Sequence, residues 1–281
     1  MSGLRPSEVL RRAERYLEVH GVESPRATAE ILLQDVLHAD RASLYSRSRG
    51  LSSTEARAFG RALCRRCTGT PVQHLTGRQA FGRLDLEVRP GVFVPRPETE
   101  VVVEVAIERL DGVEAPMVLD VGTGTGAIAL SIASEVLGAS VWATDLSPDA
   151  ASLARRNAEQ LGFGVTVLEG DLFSTLPTEL EGSFDVIVSN PPYVAPEAWE
   201  ALPPEVRSDP ELALLGGTAI HRRLAEEAPK WLRPGGWLVL EIGAEQGEDV
   251  ASILTRGGFR DVEVTTDLAG RDRVVAGAHG G

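Results

Sequence analysis

"MVLDVGTGTGAIALSIA", residues 117–133, decides the fold. Residues 117–121 read as a short buried strand, Gly122, Gly124 and Gly126 follow at once, and from Ala127 the apolar residues take helical spacing. A strand that passes through a glycine turn straight into a helix is the first half of a βαβ unit. Glycines there let the backbone turn tightly and approach a ligand, and the free N–H groups of the helix start favour an anion. A plain tight turn uses the same residues, so the triplet alone does not identify a ligand.

Outward from this unit the pattern repeats. "SVWATD" (140–145), "VTVLE" (165–169), "FDVIVS" (184–189) and "WLVLEI" (237–242) are β-branched or apolar runs separated by helical patterns, the signature of an open parallel sheet covered on both faces. Two last runs, "RDVEVT" (260–265) and "DRVVAG" (272–277), stand too close together for a helical crossover and are expected to pair antiparallel. The predicted fold class is α/β, with a Rossmann-like, mostly parallel seven-stranded sheet and an antiparallel last strand. Before it, residues 1–75 are helical in pattern. Ser7 is the expected cap of a first helix carrying Val9, Leu10, Ala13 and Leu17. Ser24 and Pro25 open a second through Ile31, Leu32, Val36 and Leu37, and Ser52 with Glu55 spells a capping box for a third carrying Ala56, Phe59 and Leu63. Residues 76–95, "TGRQAFGRLDLEVRPGVFVP", predict a β-hairpin linker. The expected domains are therefore a helical bundle (1–75), the linker (76–95) and the α/β domain (96–281).

The chain has 281 residues, 43% hydrophobic and 25% charged, enough for a substantial core. No run approaches a membrane helix and the N-terminus has no signal-peptide pattern, so a cytoplasmic protein is expected. Cys64 and Cys67 form one CxxC without a second pair, and the five histidines are scattered, so no metal site is expected. The net charge of −13 is uneven: residues 1–75 hold 12 Arg against 8 Asp and Glu, and the rest 16 basic against 33 acidic. An acidic main domain repels a phosphate backbone and suits a protein partner better than nucleic acid.

Three strand ends converge on one adenosine-like ligand. Gly122, Thr123, Gly124, Thr125 and Gly126 form the turn. Asp145 ends the second strand, placed to accept from ribose hydroxyls once Ser147 takes the helix cap, and "EGDLF" sets Asp171 and Leu172 where an adenine could be held. An NAD dehydrogenase satisfies the same pattern, because Gly122 to Ala127 also fit GxGxx(G/A). The fourth strand separates the two. It ends in Asn190-Pro191-Pro192-Tyr193, on the same edge. A planar amide or amino nitrogen attacking a methyl on sulfur is a poor nucleophile. Two acceptors aimed at its hydrogens, the Asn190 side-chain oxygen and the Pro191 carbonyl, would fix its plane and disperse positive charge as the bond forms. Both prolines hold φ near −65°, so the acceptors cannot swing away, and Tyr193 would offer a flat face to the planar group.

These motifs resemble the class I S-adenosylmethionine-dependent methyltransferases of NPPY type. "PVQHLTG" (71–77), "FVPRPETE" (93–100), "DVGTGTGAIAL" (120–130), "NPPY" (190–193) and "LEIGAEQG" (240–247) occur in the order of the peptide-chain release factor glutamine N5-methyltransferases. The resemblance covers nearly the whole chain. It implies S-adenosylmethionine as cofactor, with S-adenosylhomocysteine as product, and methylation of the glutamine side-chain amide in the Gly-Gly-Gln loop of class 1 release factors. The helical domain would recognise that protein substrate. By motif match, Gly122 to Gly126, Asp145, Asp171, Leu172 and Asn190 would bind the cofactor, Asn190 to Tyr193 the glutamine, and Phe93 and Arg96 would line the mouth. One stretch departs: "SDPELALLGGTAIH" (208–221) has Asp209 where the family has Glu, and Thr218-Ala219 where it has Asp-Gly. Another protein glutamine, or an exocyclic amine of nucleic acid, is the competing substrate.

Overall fold

The computed structural model describes residues 3–203 and 205–280, and divides the chain into two compact units: Met1–Arg78 with Pro203–Ser208, and Gln79–Leu202 with Asp209–Gly281.

In the first unit α1 (Pro6–Val19), α2 (Pro25–Leu37), α3 (Arg41–Ser46), α4 (Ser53–Cys67) and α5 (Val72–Thr76) enclose a core of Val9, Leu10, Leu17, Leu32, Leu33, Phe59 and Leu63. The capping box on α4 forms as expected: Ser52 Oγ accepts from Glu55 N at 3.2 Å and the Glu55 carboxylate from Ser52 N at 2.6 Å. Two other expectations fail. Ser7 lies inside α1, which begins at Pro6 with the Glu8 carboxylate accepting from Arg5 N at 3.2 Å, and Ile31 points to solvent while Leu33 takes its place in the core. Ser24 holds the cap position of α2 in a left-handed conformation and makes no side-chain cap. The loop 203–208 belongs to this unit, with Glu205 paired to the buried Arg66 of α4.

The hairpin of β1 (Arg78–Phe81) and β2 (Leu84–Glu87) lies in the second unit from Gln79 onward. Phe81, Leu84 and Leu86 are buried in this unit's own core, so the hairpin is a packed part of it. After α6 (Glu100–Glu108) come β3 (Met117–Val121), α7 (Ala127–Glu135), β4 (Ser140–Asp145), α8 (Pro148–Leu161), β5 (Val165–Glu169) and β6 (Phe184–Ser189). They are followed by α9 (Glu211–Leu214), α10 (Ala219–Glu227), β7 (Leu232–Glu241), α11 (Gly247–Arg256), β8 (Phe259–Thr266) and β9 (Asp272–His279). The sheet order is β5-β4-β3-β6-β7-β9-β8, with β9 antiparallel to both neighbours and the other pairings parallel.

Alternation along the central strands builds both cores. Val118, Val186 and Val188 face the layer of α6, α7 and α8, while Leu119, Val121 and Ile187 face that of α10 and α11. The chain winds outward from β3 in one direction and from β6 in the other, so the β3–β6 boundary is the switch point of the sheet. Ligands bind such sheets outside the carboxyl ends at that point. Val121 pairs with Ser189 in the last register, tied also by Ser189 Oγ donating to Val121 O at 2.6 Å, so Gly122 and Asn190 leave the sheet side by side.

Candidate active site

The turn after β3 is held by two buried carboxylates. Asp120 Oδ2 accepts from Thr123 Oγ1 at 2.6 Å and Ala129 N at 3.1 Å; Asp145, at the end of β4, accepts from Gly124 N and Ser147 N, each at 2.8 Å. Burial pushes Asp120 up to about 7 and raises Asp145, against the pull of the Gly124 and Ser147 amides. All three glycines of the turn have left-handed φ. At Gly126 (φ 87°) a Cβ would also meet Leu130 Cδ1 at 3.0 Å, while at Gly122 and Gly124 nothing lies within 4 Å of that position. The backbone there is bare toward a cavity. From the far side Asn157, on α8, donates to Thr125 O at 2.9 Å and Glu87 O at 3.1 Å, joining the turn to the hairpin.

That cavity brings together Gly122 to Thr125, Asp145, Asp171, Leu172, Asn190, Pro192 and Phe93. Pro191, Tyr193, Arg96 and Gly126 do not line it. Two sequence expectations need correction. Ser147 does cap α8, accepting from Ala150 N at 3.3 Å, yet this does not free Asp145, whose two oxygens both brace backbone. Asp171 is likewise engaged, Arg223 donating to its oxygens at 3.2 and 3.0 Å. Each carboxylate oxygen keeps a second lone pair for a ligand. Leu172 sits at φ 48°, in the left-handed region that a Cβ-bearing residue seldom adopts, on the cavity wall.

The Asn190 corner is rigid for reasons beyond its prolines. Asn190 Nδ2 donates to Thr99 Oγ1 at 3.1 Å, which leaves Oδ1 as the uncommitted end of the amide. Behind it Val194 bridges to Leu215, with Val194 N donating to Leu214 O at 2.8 Å. Gly216 approaches so closely that a Cβ there would lie 2.2 Å from the Pro192 carbonyl oxygen. Tyr193 turns away from the cavity: its phenol donates to Glu241 Oε1 at 3.3 Å, and its carbonyl accepts from Gln246 Nε2 at 3.0 Å. Burial raises the Tyr193 phenol well above its ordinary range, the Glu241 charge adding to the effect. Glu241 is itself 1% exposed; burial lifts it to about 7, opposed by the Thr99 and Tyr193 hydroxyls and Arg273, and reinforced by Glu98.

Arg96 is paired with Asp209, and Asp209 Oδ1 accepts from Val94 N at 3.3 Å. Asp209 is buried, which raises its carboxyl against the pull of Arg96. Arg96 also stacks over Phe93, its guanidinium carbon 5.4 Å from the ring centre. Asp209 in the family's Glu position is thus the anchor that holds Arg96 and, through it, the ring on the cavity wall. His221, at the end of the departing stretch, is fully buried and bonds the Glu241 carbonyl through Nε2 at 2.8 Å. Sequence reasoning overlooked Thr99, Glu241 and His221. For Glu241 a signal was available: it is an acidic residue inside the apolar run "WLVLEI" (237–242), and such a residue needs partners. Among the described residues no cluster of His, Cys, Asp and Glu could hold a metal ion, and no helix is long and apolar enough to cross a membrane.

The residues present fit an adenosyl sulfonium. Thr125 Oγ1 is buried in the cavity wall without a partner, the carboxylates of Asp145 and Asp171 supply acceptors, and Ile128 and Leu172 supply apolar surface for a ring.

Two domain families match the chain: the PrmC N-terminal domain over residues 8–77 and a methyltransferase domain over residues 118–208. Among solved structures, a methyltransferase from Pyrococcus furiosus superposes with a TM-score of 0.53 at 22% identity, over 72% of this chain and 91% of that one. The hMettl16 catalytic domain in complex with MAT2A 3'UTR hairpin 6 superposes with a TM-score of 0.58 at 17% identity, over 78% and 82%. At such identities the likeness is one of fold, and it agrees with the class I methyltransferase sheet. The release factor glutamine methyltransferase of Moorella thermoacetica is 44% identical over 273 residues, 95% of each chain. That of Deinococcus radiodurans is 42% identical over 279 residues, 98% of each. With likeness of this degree running through both units, the chain belongs to the family of release factor glutamine methyltransferases.

Proposed function

We propose that this protein transfers a methyl group from S-adenosylmethionine to the side-chain amide nitrogen of the glutamine in the Gly-Gly-Gln loop of class 1 release factors, in the cytoplasm where those factors work. Bound S-adenosylmethionine supplies an electrophilic methyl on a sulfonium sulfur and leaves as S-adenosylhomocysteine. The glycine turn, Asp145, Asp171, Leu172 and the free Thr125 hydroxyl would hold it. One observation carries the reading: the Asn190 amide is tied by its nitrogen to Thr99, so its oxygen is the end left for a donor in the cavity.

A glutamine amide brings two N–H groups and a delocalised lone pair. Asn190 Oδ1 would accept one hydrogen from the cavity, and the carbonyl of Pro191, a residue that does not itself line the cavity, would accept the other once the glutamine is seated, fixing the plane of the amide and taking up positive charge as the N–C bond forms. The excess proton then passes to water, since an N-alkylated, protonated amide is acidic, and no general base is needed before transfer. Positioning supplies the rate, up to about 7 to 11 kcal/mol in favourable intramolecular cases. The Val194–Leu215 bridge and the Gly216 approach to Pro192 serve that positioning. Phe93, held under Arg96, would border the entry of the loop. Tyr193 would act on the Glu241 side and not as a stacking face.

The helical unit would dock the release factor. Arg57, Arg61 and Arg65 stand at helical spacing on one exposed side of α4, with no ion-pair partner among the described residues, and suit an acidic protein surface. The acidic charge of the remainder disfavours a nucleic-acid substrate. The test is peptide mapping by mass spectrometry of a release factor incubated with this protein and S-adenosylmethionine. One added methyl on the Gly-Gly-Gln glutamine is expected; no methyl there, or methylation of RNA in its place, refutes the reading.

A further inference from the structure

None of the residues of "LEIGAEQG" (240–247) lines the cavity, yet the run grips Tyr193 at both ends. β6 and β7 run parallel with Ser189 paired to Leu240, so the run leaves the sheet beside the Asn190 corner. Glu241 Oε1 accepts from the Tyr193 phenol at 3.3 Å, and Gln246 Nε2 donates to the Tyr193 carbonyl at 3.0 Å. The Gln246 amide has only one way to lie. Its Oε1 accepts from Gly243 N at 2.9 Å, and a backbone N–H can only donate, as a backbone carbonyl can only accept. Gln246 N in turn donates to Gly243 O at 2.9 Å, closing the turn in front of α11, whose Val250 and Leu254 are buried. Gly243 allows the close approach: a Cβ there would lie 3.1 Å from Gln246 Oε1 and 3.5 Å from Tyr193 Cδ2.

We propose that Gln246 is a positioning residue for methyl transfer, holding, through the Tyr193 carbonyl, the path of the backbone that carries the Pro191 acceptor. The inference rests on the function proposed above. The two prolines fix φ at their own positions but leave ψ free, and neither has an N–H with which to tie the corner to the rest of the protein. The segment must therefore be held by what surrounds it.

Upstream, Thr99 holds the Asn190 side chain. Downstream, Val194 N donates to Leu214 O at 2.8 Å, and the Val194 carbonyl accepts from Gly216 N at 3.0 Å. Between these anchors Gln246 takes the Tyr193 carbonyl, two residues on from the carbonyl that is to meet the substrate N–H. Without that bond the Tyr193 peptide can rotate, and ψ at Pro191 and Pro192 adjusts with it, so the acceptor leaves the line of the hydrogen it must accept. A misplacement of about 1 Å costs up to about 10² in rate. Gln246 lies outside the cavity, so binding of the cofactor and of the release factor is spared.

The experiment measures kcat and KM for the release factor, and S-adenosylhomocysteine affinity by calorimetry, in the full chain and in the variants Gln246→Glu and Gln246→Met. At about pH 8 kcat should fall about ten- to hundredfold in both variants, with KM and affinity within about threefold of the unaltered protein. In Gln246→Glu the carboxylate still accepts from Gly243 N but turns an oxygen without hydrogen toward the Tyr193 carbonyl. As the pH falls toward about 5 this carboxyl takes up a proton and the donor returns, so kcat relative to the unaltered protein should recover by about fivefold or more. Gln246→Met has nothing to protonate, and its ratio should stay constant. A kcat within about threefold of the unaltered protein in both variants, or a loss in Gln246→Glu that does not respond to pH, overturns the inference. So does a fall in Tm with kcat per folded molecule unchanged, the mark of a merely structural role. Each of these results leaves the proposed function standing, whereas absence of methyl transfer by the unaltered protein overturns both. If Gln246→Met fails to fold, the acid recovery of Gln246→Glu decides alone.

Discussion

Replacing Asn190 by Ala removes the acceptor on which the chemistry depends and leaves most of the donor site alone. In the structure Asn190 makes one side-chain hydrogen bond, to Thr99 at 3.1 Å, so the folded state loses about 1 kcal/mol, a fall in Tm of about 2 to 4 °C for a domain of this size. The rate should lose far more. Oδ1 would carry one transition-state hydrogen bond, and deleting such a bond costs about 10² to 10³ in kcat. The assay is transfer of labelled methyl to a release factor at saturating S-adenosylmethionine, with calorimetric titration of S-adenosylhomocysteine in parallel. Its affinity should change less than about tenfold, because the turn, Asp145 and Leu172 remain. A kcat within about threefold of the unaltered protein removes the amide from the mechanism. Equal losses in rate and affinity would make Asn190 a ligand of the cofactor alone.

Asp145→Ala should weaken S-adenosylhomocysteine binding by tenfold or more (about 1.4 kcal/mol), since it frees Gly124 N and Ser147 N as well as removing the ribose acceptor; an unchanged isotherm refutes the assignment. Gly216→Ala should displace the Pro192 carbonyl, costing about 1 to 3 kcal/mol of stability and lowering kcat with little effect on KM, and a normal kcat would mean the approach is irrelevant to the corner. Glu55 is held at about 2 by the Ser52 amide first and by Arg47 after it. A carboxyl depressed in the folded state stabilises above its unfolded value and loses that contribution as pH falls toward 2. Glu55→Gln should therefore cost about 1 kcal/mol in urea unfolding at neutral pH and progressively less in acid, and a constant difference would contradict the capping account.

Much of the second unit is legible in sequence because its strands are β-branched or apolar runs, buried throughout in β6 and nearly so in β3. The runs "MVLDV" (117–121), "SVWATD" (140–145), "VTVLE" (165–169) and "FDVIVS" (184–189) coincide with β3 to β6 to the residue. The fifth is not: β7 begins at Leu232, earlier than its apolar run. Residues 233–236 form an irregularity between the Leu232 and Trp237 pairings, and Pro234 and Gly235 within it read as loop. Helices α3 and α5, of six and five residues, are too short to show a 3.6 period. At the site, glycines and prolines announce themselves by their conformational limits. Thr99 and Asp209 do not, because a hydroxyl 91 positions from Asn190, or a carboxylate 113 from Arg96, gains meaning only when the chain has folded. Asp145 is the opposite case. Its importance was visible, but a strand-end carboxylate reads as a ligand acceptor, and its two backbone bonds depend on the path of the glycine turn.

The most direct test of the paired-acceptor corner is a structure of the protein with S-adenosylhomocysteine and a peptide containing Gly-Gly-Gln. The glutamine nitrogen should lie within hydrogen-bond distance, about 2.8 to 3.2 Å, of both Asn190 Oδ1 and the Pro191 carbonyl, in line with the sulfur. A glutamine bound elsewhere, or an Asn190 amide presenting its nitrogen to the peptide in the productive complex, would contradict the account.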